Sequence, residues 1–227
     1  MRDRDIEGVL LNVHPSVEVK GTLSLNGSYP GSNNSMKVGL QPVGSSSRLP
    51  NYQGVLGRAQ APGVNGAFAI PGVAEGVYRV QVLNLPANAY IDEVRQGGRQ
   101  VYDSGLVVEN KSPDVVEVTV NSNGGSILGS VTTLDRKPSV SSTVVLIPDP
   151  PHRENTGLYK TATTDTQGHF TLRGIRPGTY RLMAWEVVPA GAYLNSVFLS
   201  KYEARGTSVN VVQQSSNTVE LTVIPRN

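Results

Sequence analysis

The stretches NGAFAIPGVAEGVYRV (residues 65–80) and QGHFTLRGIRPGTYRLM (residues 167–183) decide the fold, because they are two readings of one pattern. Shifted by 102 positions, Gly66, Phe68, Gly72, Gly76, Tyr78 and Arg79 fall on Gly168, Phe170, Gly174, Gly178, Tyr180 and Arg181. Asn65-Gly66 and Gln167-Gly168 supply a residue that tolerates positive φ, so each marks a hairpin turn. Phe68 with Ile70, and Phe170 with Leu172, repeat at period two and point to one face of a strand. Gly72 and Gly174 end that strand. Pro177-Gly178 suits a tight turn in which Pro presets φ, and Tyr78 and Tyr180 then open the next strand. Each copy therefore reads as strand, tight turn, strand, tight turn, strand.

The match extends outward. Val38, Leu40 and Pro42 pair with Val144, Leu146 and Pro148, Val19 and Gly21 with Ile127 and Gly129, and Val116-Glu117 with Val219-Glu220. The offset drifts only between 102 and 108, as expected where loops change length and strands do not. Further strands are expected at Val17–Leu25, Met36–Pro42, Gly54–Ala61, Ala89–Val94, Arg99–Val101 and Val115–Val120. The second copy adds Ser126–Thr133, Thr143–Ile147, Leu158–Thr164, Ser208–Val212 and Thr218–Ile224. Short strands with turn signals between them imply an all-β protein: two tandem Greek-key sandwiches of the prealbumin or immunoglobulin-like kind. One segment departs from this. Leu194, Val197, Phe198 and Tyr202 stand at helical spacing, so the second sandwich gains one short helix, stopped by Gly206. The expected division is 15–121 for the first module and 126–227 for the second. The linker Asn121 to Gly125 is too short for free swinging, which predicts a limited interface between them. Residues 1–14 read as the end strand of a preceding repeat, through Ile6 to Val13.

Composition narrows the function. With 20 Lys and Arg against 18 Asp and Glu in 227 residues, no clustered basic face argues for nucleic acid. There is no cysteine, which excludes disulfides and thiolate sites. No apolar run reaches the ~20 residues of a membrane-spanning helix, and the first residues lack the apolar stretch of a signal peptide.

The run from Thr164 to Tyr180 (TDTQGHFTLRGIRPGTY) resembles the signature of bacterial carboxypeptidase regulatory-like domains, whose sandwich is prealbumin-like and related in shape to collagen-adhesin B-type and starch-binding-like modules. Ser126 to Ile147 is similar to the opening of the same domain. The resemblance covers the second copy almost completely. The first is looser, lacking the Thr-Asp that precedes the second copy's turn. The signature positions are Gly66, Phe68, Gly72, Gly76 and Tyr78 in the first copy, and Asp165, Gly168, Phe170, Gly174, Pro177, Gly178 and Tyr180 in the second. The resemblance implies a non-catalytic part of a larger exported protein, with an extracytoplasmic home and neighbouring domains as partners.

The chemistry-bearing residues are sparse. His14, His152 and His169 form no H-x-H or H-E-x-x-H pair, so no metal site is expected. Asp165 is one carboxylate without a later bidentate Glu, hence a turn residue bonding its own hairpin, not a calcium ligand. The two-His, two-Tyr iron set of sandwich dioxygenases and the terminal Tyr-Arg-Gly-Ser of hydroxyisourate hydrolases have no counterpart. An adhesin-type Lys–Asn cross-link also lacks its triad, since the second copy's first strand has no Lys and the first copy carries Asn84 where the second has Glu186. No catalytic residue and no cofactor are expected. The reading is a non-catalytic structural or interaction module. Its alternative is a carbohydrate-binding module that contacts a glycan through the aromatic group near Trp185, with Tyr193 and Tyr202 beside it. Against that alternative stands plain packing, in which Phe198 and Tyr202 pin the helix and Trp185 closes the core.

Overall fold

The computed structural model describes residues 16–26, 35–44, 59–63 and 66–226. The expected end strand in 1–14, His14 and most of the expected strand Gly54–Ala61 lie outside these residues. Of that strand, Gln60 pairs with Val38 as an isolated antiparallel bridge.

The first sandwich is built from β1 (Ser16–Asn26), β2 (Lys37–Pro42), β3 (Ala67–Ala74), β4 (Gly76–Leu83), β5 (Tyr90–Gln96), β6 (Arg99–Gln100), β7 (Leu106–Val108) and β8 (Val116–Asn121). One sheet runs β3-β1-β8-β5-β6 and the facing sheet β2-β4-β7. The second sandwich comprises β9 (Gly125–Thr132), β10 (Thr143–Pro148), β11 (Lys160–Thr163), β12 (His169–Ile175), β13 (Gly178–Trp185), β14 (Thr207–Val211) and β15 (Ser216–Thr222). Its sheets are β12-β9-β15 and β11-β10-β13-β14. The first and last strands of each sandwich, β1 with β8 and β9 with β15, are parallel neighbours. The architecture is all-β, as the periodicity predicts.

The repeated residues perform the same task twice. Phe68 and Phe170 are buried in the two cores. Each ring lies over a glycine of the first strand: a Cβ on Gly21 would collide with Phe68 and the Val116 carbonyl, and one on Gly129 with Phe170 and the Val219 carbonyl. That close approach is why both copies keep Gly there. Tyr78 donates from its hydroxyl to the Ala74 carbonyl at 3.0 Å, and Tyr180 to the Arg176 carbonyl at 2.8 Å. Each phenol thus fastens the turn four residues upstream while its ring stays in the core. Asp165 accepts from the Gln167 and His169 backbone amides at 2.9 and 2.8 Å, closing the β11–β12 hairpin. Those two donors hold its carboxyl below the usual range.

Three expectations change. Leu106–Val108 forms the edge strand β7, which is not among the strands expected from the sequence. The helix is shorter than its spacing predicts: α1 covers only Ser196–Ser200, with 3-10 turns at Ala192–Leu194 and Glu203–Arg205. Asn195 caps it by accepting from Val197 and Phe198, and so fixes its start within the periodic run. The strand expected over Leu158–Thr164 begins at Lys160, because Thr156–Leu158 is a 3-10 turn.

Candidate functional site

The aromatic group is a core. Trp185 is only 2% exposed and sits with Val145, Ile147, Met183, Leu199 and Ile224. Tyr202 meets its ring edge-on at 5.8 Å and Phe198 lies tilted at 6.2 Å. Tyr193 and Tyr202 are half-buried against the same cluster. A sugar-stacking platform needs an open ring face, and Trp185 has none, so it drops out of the candidate ligand contacts. It covers the outer face of the sheet to which β10 and β13 belong, beneath α1. Arg153 holds the lid from its side. It pairs with Glu203 at 2.5 Å, and its own backbone carbonyl accepts from the Tyr159 hydroxyl at 3.0 Å. The guanidinium keeps the Glu203 carboxyl below its ordinary range. Burial pushes the Tyr159 phenol up to about 12.

The densest set of buried polar contacts lies elsewhere, where the two sandwiches meet. Between β8 and β9 run only Ser122, Asn123 and Gly124, and the backbone of this link is bonded from both copies. Asn88 donates to the Ser122 carbonyl at 2.7 Å, the Gly124 amide to the Asn88 carbonyl at 2.9 Å, and the Gln214 amide to the Asn123 carbonyl at 3.0 Å. Gly124 packs on Gly174 so closely that a Cβ on it would stand 2.7 Å from the Gly174 Cα. The signature glycine of the second copy therefore also serves the contact between copies.

A second arm of contact comes from the Pro-rich loop before β11. Asn155, 1% exposed, donates to the Tyr102 carbonyl and to the Asp103 carboxylate, each at 3.1 Å, and accepts from the Gly157 amide at 3.1 Å. Both donor hydrogens and the oxygen of this buried amide are engaged, as burial requires. His152 Nδ1 lies 2.8 Å from Asp103. Leu158, from the second copy, belongs to the first copy's core. Arg176 stacks over the Tyr102 ring at 5.3 Å and reaches Asp92 at 3.9 Å. Burial raises the Tyr102 phenol well above its ordinary value. A cavity of only about 90 Å³ remains between Val80, Tyr102, Leu158 and Arg176.

Sequence reasoning found the short link but missed Tyr102, Asp103, Asn155, Leu158 and Arg176. They lie in loops or at strand ends and follow no period. The faint signal was the loop PDPPHRENTG (148–157), which carries a charged and amide-rich set that a plain turn does not need. Among the described residues no three His, Cys, Asp or Glu side chains are placed to hold a metal ion. His169 lies 3.9 Å from Asp165 in its turn. Asn84 donates to the Ser35 carbonyl, and Glu186 accepts from the Arg226 amide. No helix among the described residues is long and apolar enough to cross a membrane.

The family model for polysaccharide lyase family 4, domain II, matches residues 136–219, which lie within the second copy. No curated protein matches the chain. Among solved structures, the chain is similar to the Bacillus anthracis TIE protein, with 10% identity and a TM-score of 0.27, over 93% of this chain and 34% of that one. It thus spans about a third of that protein's length. The minor pilin GBS52 of Streptococcus agalactiae shows 14% identity and a TM-score of 0.34, over 92% of this chain and 98% of its own. A crystal structure described as a putative carbohydrate binding protein from Pseudomonas aeruginosa shows 19% identity and a TM-score of 0.26, over 43% and 87%.

Proposed function

We propose that the chain is a non-catalytic tandem module, of the carboxypeptidase regulatory-like kind, within a longer exported bacterial protein. Its modules are residues 15–121 and 126–227, and residues 1–14 close a preceding repeat. Its work is geometric: it holds flanking domains, and the ligands they bind, at a fixed separation and angle. The observation that carries this reading is the buried Asn155, spanning from the second copy to Tyr102 and Asp103 of the first. A polar side chain so placed favours this arrangement over any other packing that buries it, because such a packing would leave its amide without partners.

The test is nuclear spin relaxation of the intact chain. The two sandwiches should tumble with one correlation time. Asn155→Ala combined with Arg176→Ala should separate them into two, with both folds kept. Independent tumbling of the unaltered chain would overturn the reading. A glycan-binding role rests, with Trp185 covered, on the half-buried Tyr193 and its exposed neighbours Leu194 and Val197. Glycan-array binding that disappears in Tyr193→Ala would favour that second reading.

A further inference from the structure

The last strands of the two copies are nearly the same peptide, VEVTV (116–120) and VELTV (219–223), in the same register against the first strand. Val116 stands opposite Gly21, and Val219 opposite Gly129. Their other edges differ. β8 is covered along its length by β5, antiparallel, with Val94 opposite Val118 and Arg95 opposite Glu117. Among the described residues the second copy has no strand in the place of β5, because the corresponding segment turns into α1 and its flanking 3-10 turns. β15 is an edge strand.

The hydrogen-bond parity shows which groups this leaves open. The Ser126 amide donates to the Ser215 carbonyl and the Val223 amide to the Thr132 carbonyl, so odd-numbered residues of β15 face β9. The amides and carbonyls of Ser216, Thr218, Glu220 and Thr222 point the other way. Among the described residues nothing bonds them. Beyond Thr222 the edge is taken, since Ile224 bridges to Trp185. The open stretch carries no Lys, no Pro and no bulge, the usual guards of an exposed edge. Edge β7 of the first copy shows what a guard looks like: the Gln96 side chain donates to the Val107 carbonyl at 2.8 Å and accepts from the Val107 amide at 3.1 Å.

We propose that the β15 edge is a docking site for an extended segment of another polypeptide, added antiparallel as β5 is added to β8. The first copy defines the chemistry of the occupant. Opposite Glu220 it carries a basic residue, as Arg95 lies opposite Glu117; among the described residues no cation pairs with Glu220. One step along, opposite Leu221, it carries a β-branched residue, as Val94 does opposite Val118. Leu221 is buried and Val219 half-buried in the second core, so such a residue would extend that core by one strand. This site is independent of the contact between the sandwiches.

The test uses the whole chain and an acetylated, amidated heptapeptide, Glu-Val-Arg-Val-Thr-Val-Thr, whose first three residues repeat Glu93 to Arg95. Titration followed by amide resonances should shift Thr218, Glu220 and Thr222, and the bound peptide should slow exchange of their amide hydrogens. Glu220→Lys should weaken binding about five- to tenfold, and a peptide with Glu in place of Arg should recover it. Thr218→Pro removes an outward amide without touching β9, and should cost the peptide at least about tenfold. Absence of binding at millimolar peptide overturns the proposal, as does binding indifferent to both substitutions. A free chain already dimeric with these amides protected overturns it too, and gives the edge to a second copy.

Discussion

The first sandwich and the second start from closely similar strands and part company over the segments 84–96 and 186–205. In the first copy the segment pairs beside β8 as β5. In the second it folds back over the outer face of the β10–β13 sheet as a short helix between 3-10 turns. The cause lies in the strands beneath. β2 alternates, with Val38 and Leu40 inward and Gln41 outward, and β4 does likewise, with Gln81 bonded to Gln41 at 3.1 Å. Such a face is content in water. β10 is apolar at every step from Val144 to Ile147, and β13 adds Met183 and Trp185 on the outer side, so this face must be covered. The same sandwich thus directs its next segment to an edge or to a face, according to which would otherwise stand exposed.

The comparison breaks most sharply at Trp185 and its counterpart Leu83, 102 residues upstream. Trp185→Ala should destabilise the second sandwich by about 3–5 kcal/mol, whereas Leu83→Ala, at a position 37% exposed, should cost less than about 1 kcal/mol. Urea unfolding followed by strand-resolved hydrogen exchange separates the two. Gly21→Ala and Gly129→Ala sharpen the part the copies share. Both force a methyl against a Phe ring and a carbonyl, so both should cost about 1–3 kcal/mol by overpacking, and a large inequality between them would break the equivalence. Tyr78→Phe and Tyr180→Phe should each lose about 1 kcal/mol, the net value of one hydrogen bond to the turn, in the same assay.

The smallest effect is the one confined to a single copy. Asp165 has no partner in the first copy's turn, and its carboxyl is held below the ordinary range by the Gln167 and His169 amides. A depressed carboxylate adds stability that is fully present above its unfolded value near pH 4 and fades as pH falls through the lower folded value. Asp165→Asn should therefore lower the urea midpoint of the second sandwich slightly at pH 7 and not at pH 2. The first sandwich should respond at neither.

What could be read in advance follows the same division. Phe68, Phe170, Tyr78, Tyr180 and the glycines around them occur at strand periods, and a period-two signal survives in a single chain because it is set by the pleat. β7 escaped because Leu106, Val107 and Val108 are three apolar residues in a row, too few to show alternation. The helical spacing from Leu194 to Tyr202 was real, but the Asn195 cap and the 3-10 turns confine the α-helix to five residues. Trp185 was ambiguous because an aromatic suits a core and a sugar platform equally by sequence; its burial depends on residues thirteen and seventeen places onward folding back. Asn155, Asp103 and Arg176 were invisible, since contacts between loops of different copies leave no local pattern. The pairing of the two edges became legible only once VEVTV and VELTV were seen with different neighbours.

The parallel pairing of β1 with β8, and of β9 with β15, has a mechanical consequence. The chain enters each sandwich at the start of one strand and leaves at the end of its parallel neighbour. A pull along the polypeptide therefore slides these strands past each other and loads their evenly spaced hydrogen bonds together instead of opening them one at a time. The join from Asn121 to Gly125 passes that load directly from the last strand of one copy to the first strand of the next. Drawn by its ends in a force spectrometer, the chain should resist in two shear events, at forces well above those needed when the same sandwich is pulled across the β3–β4 turn.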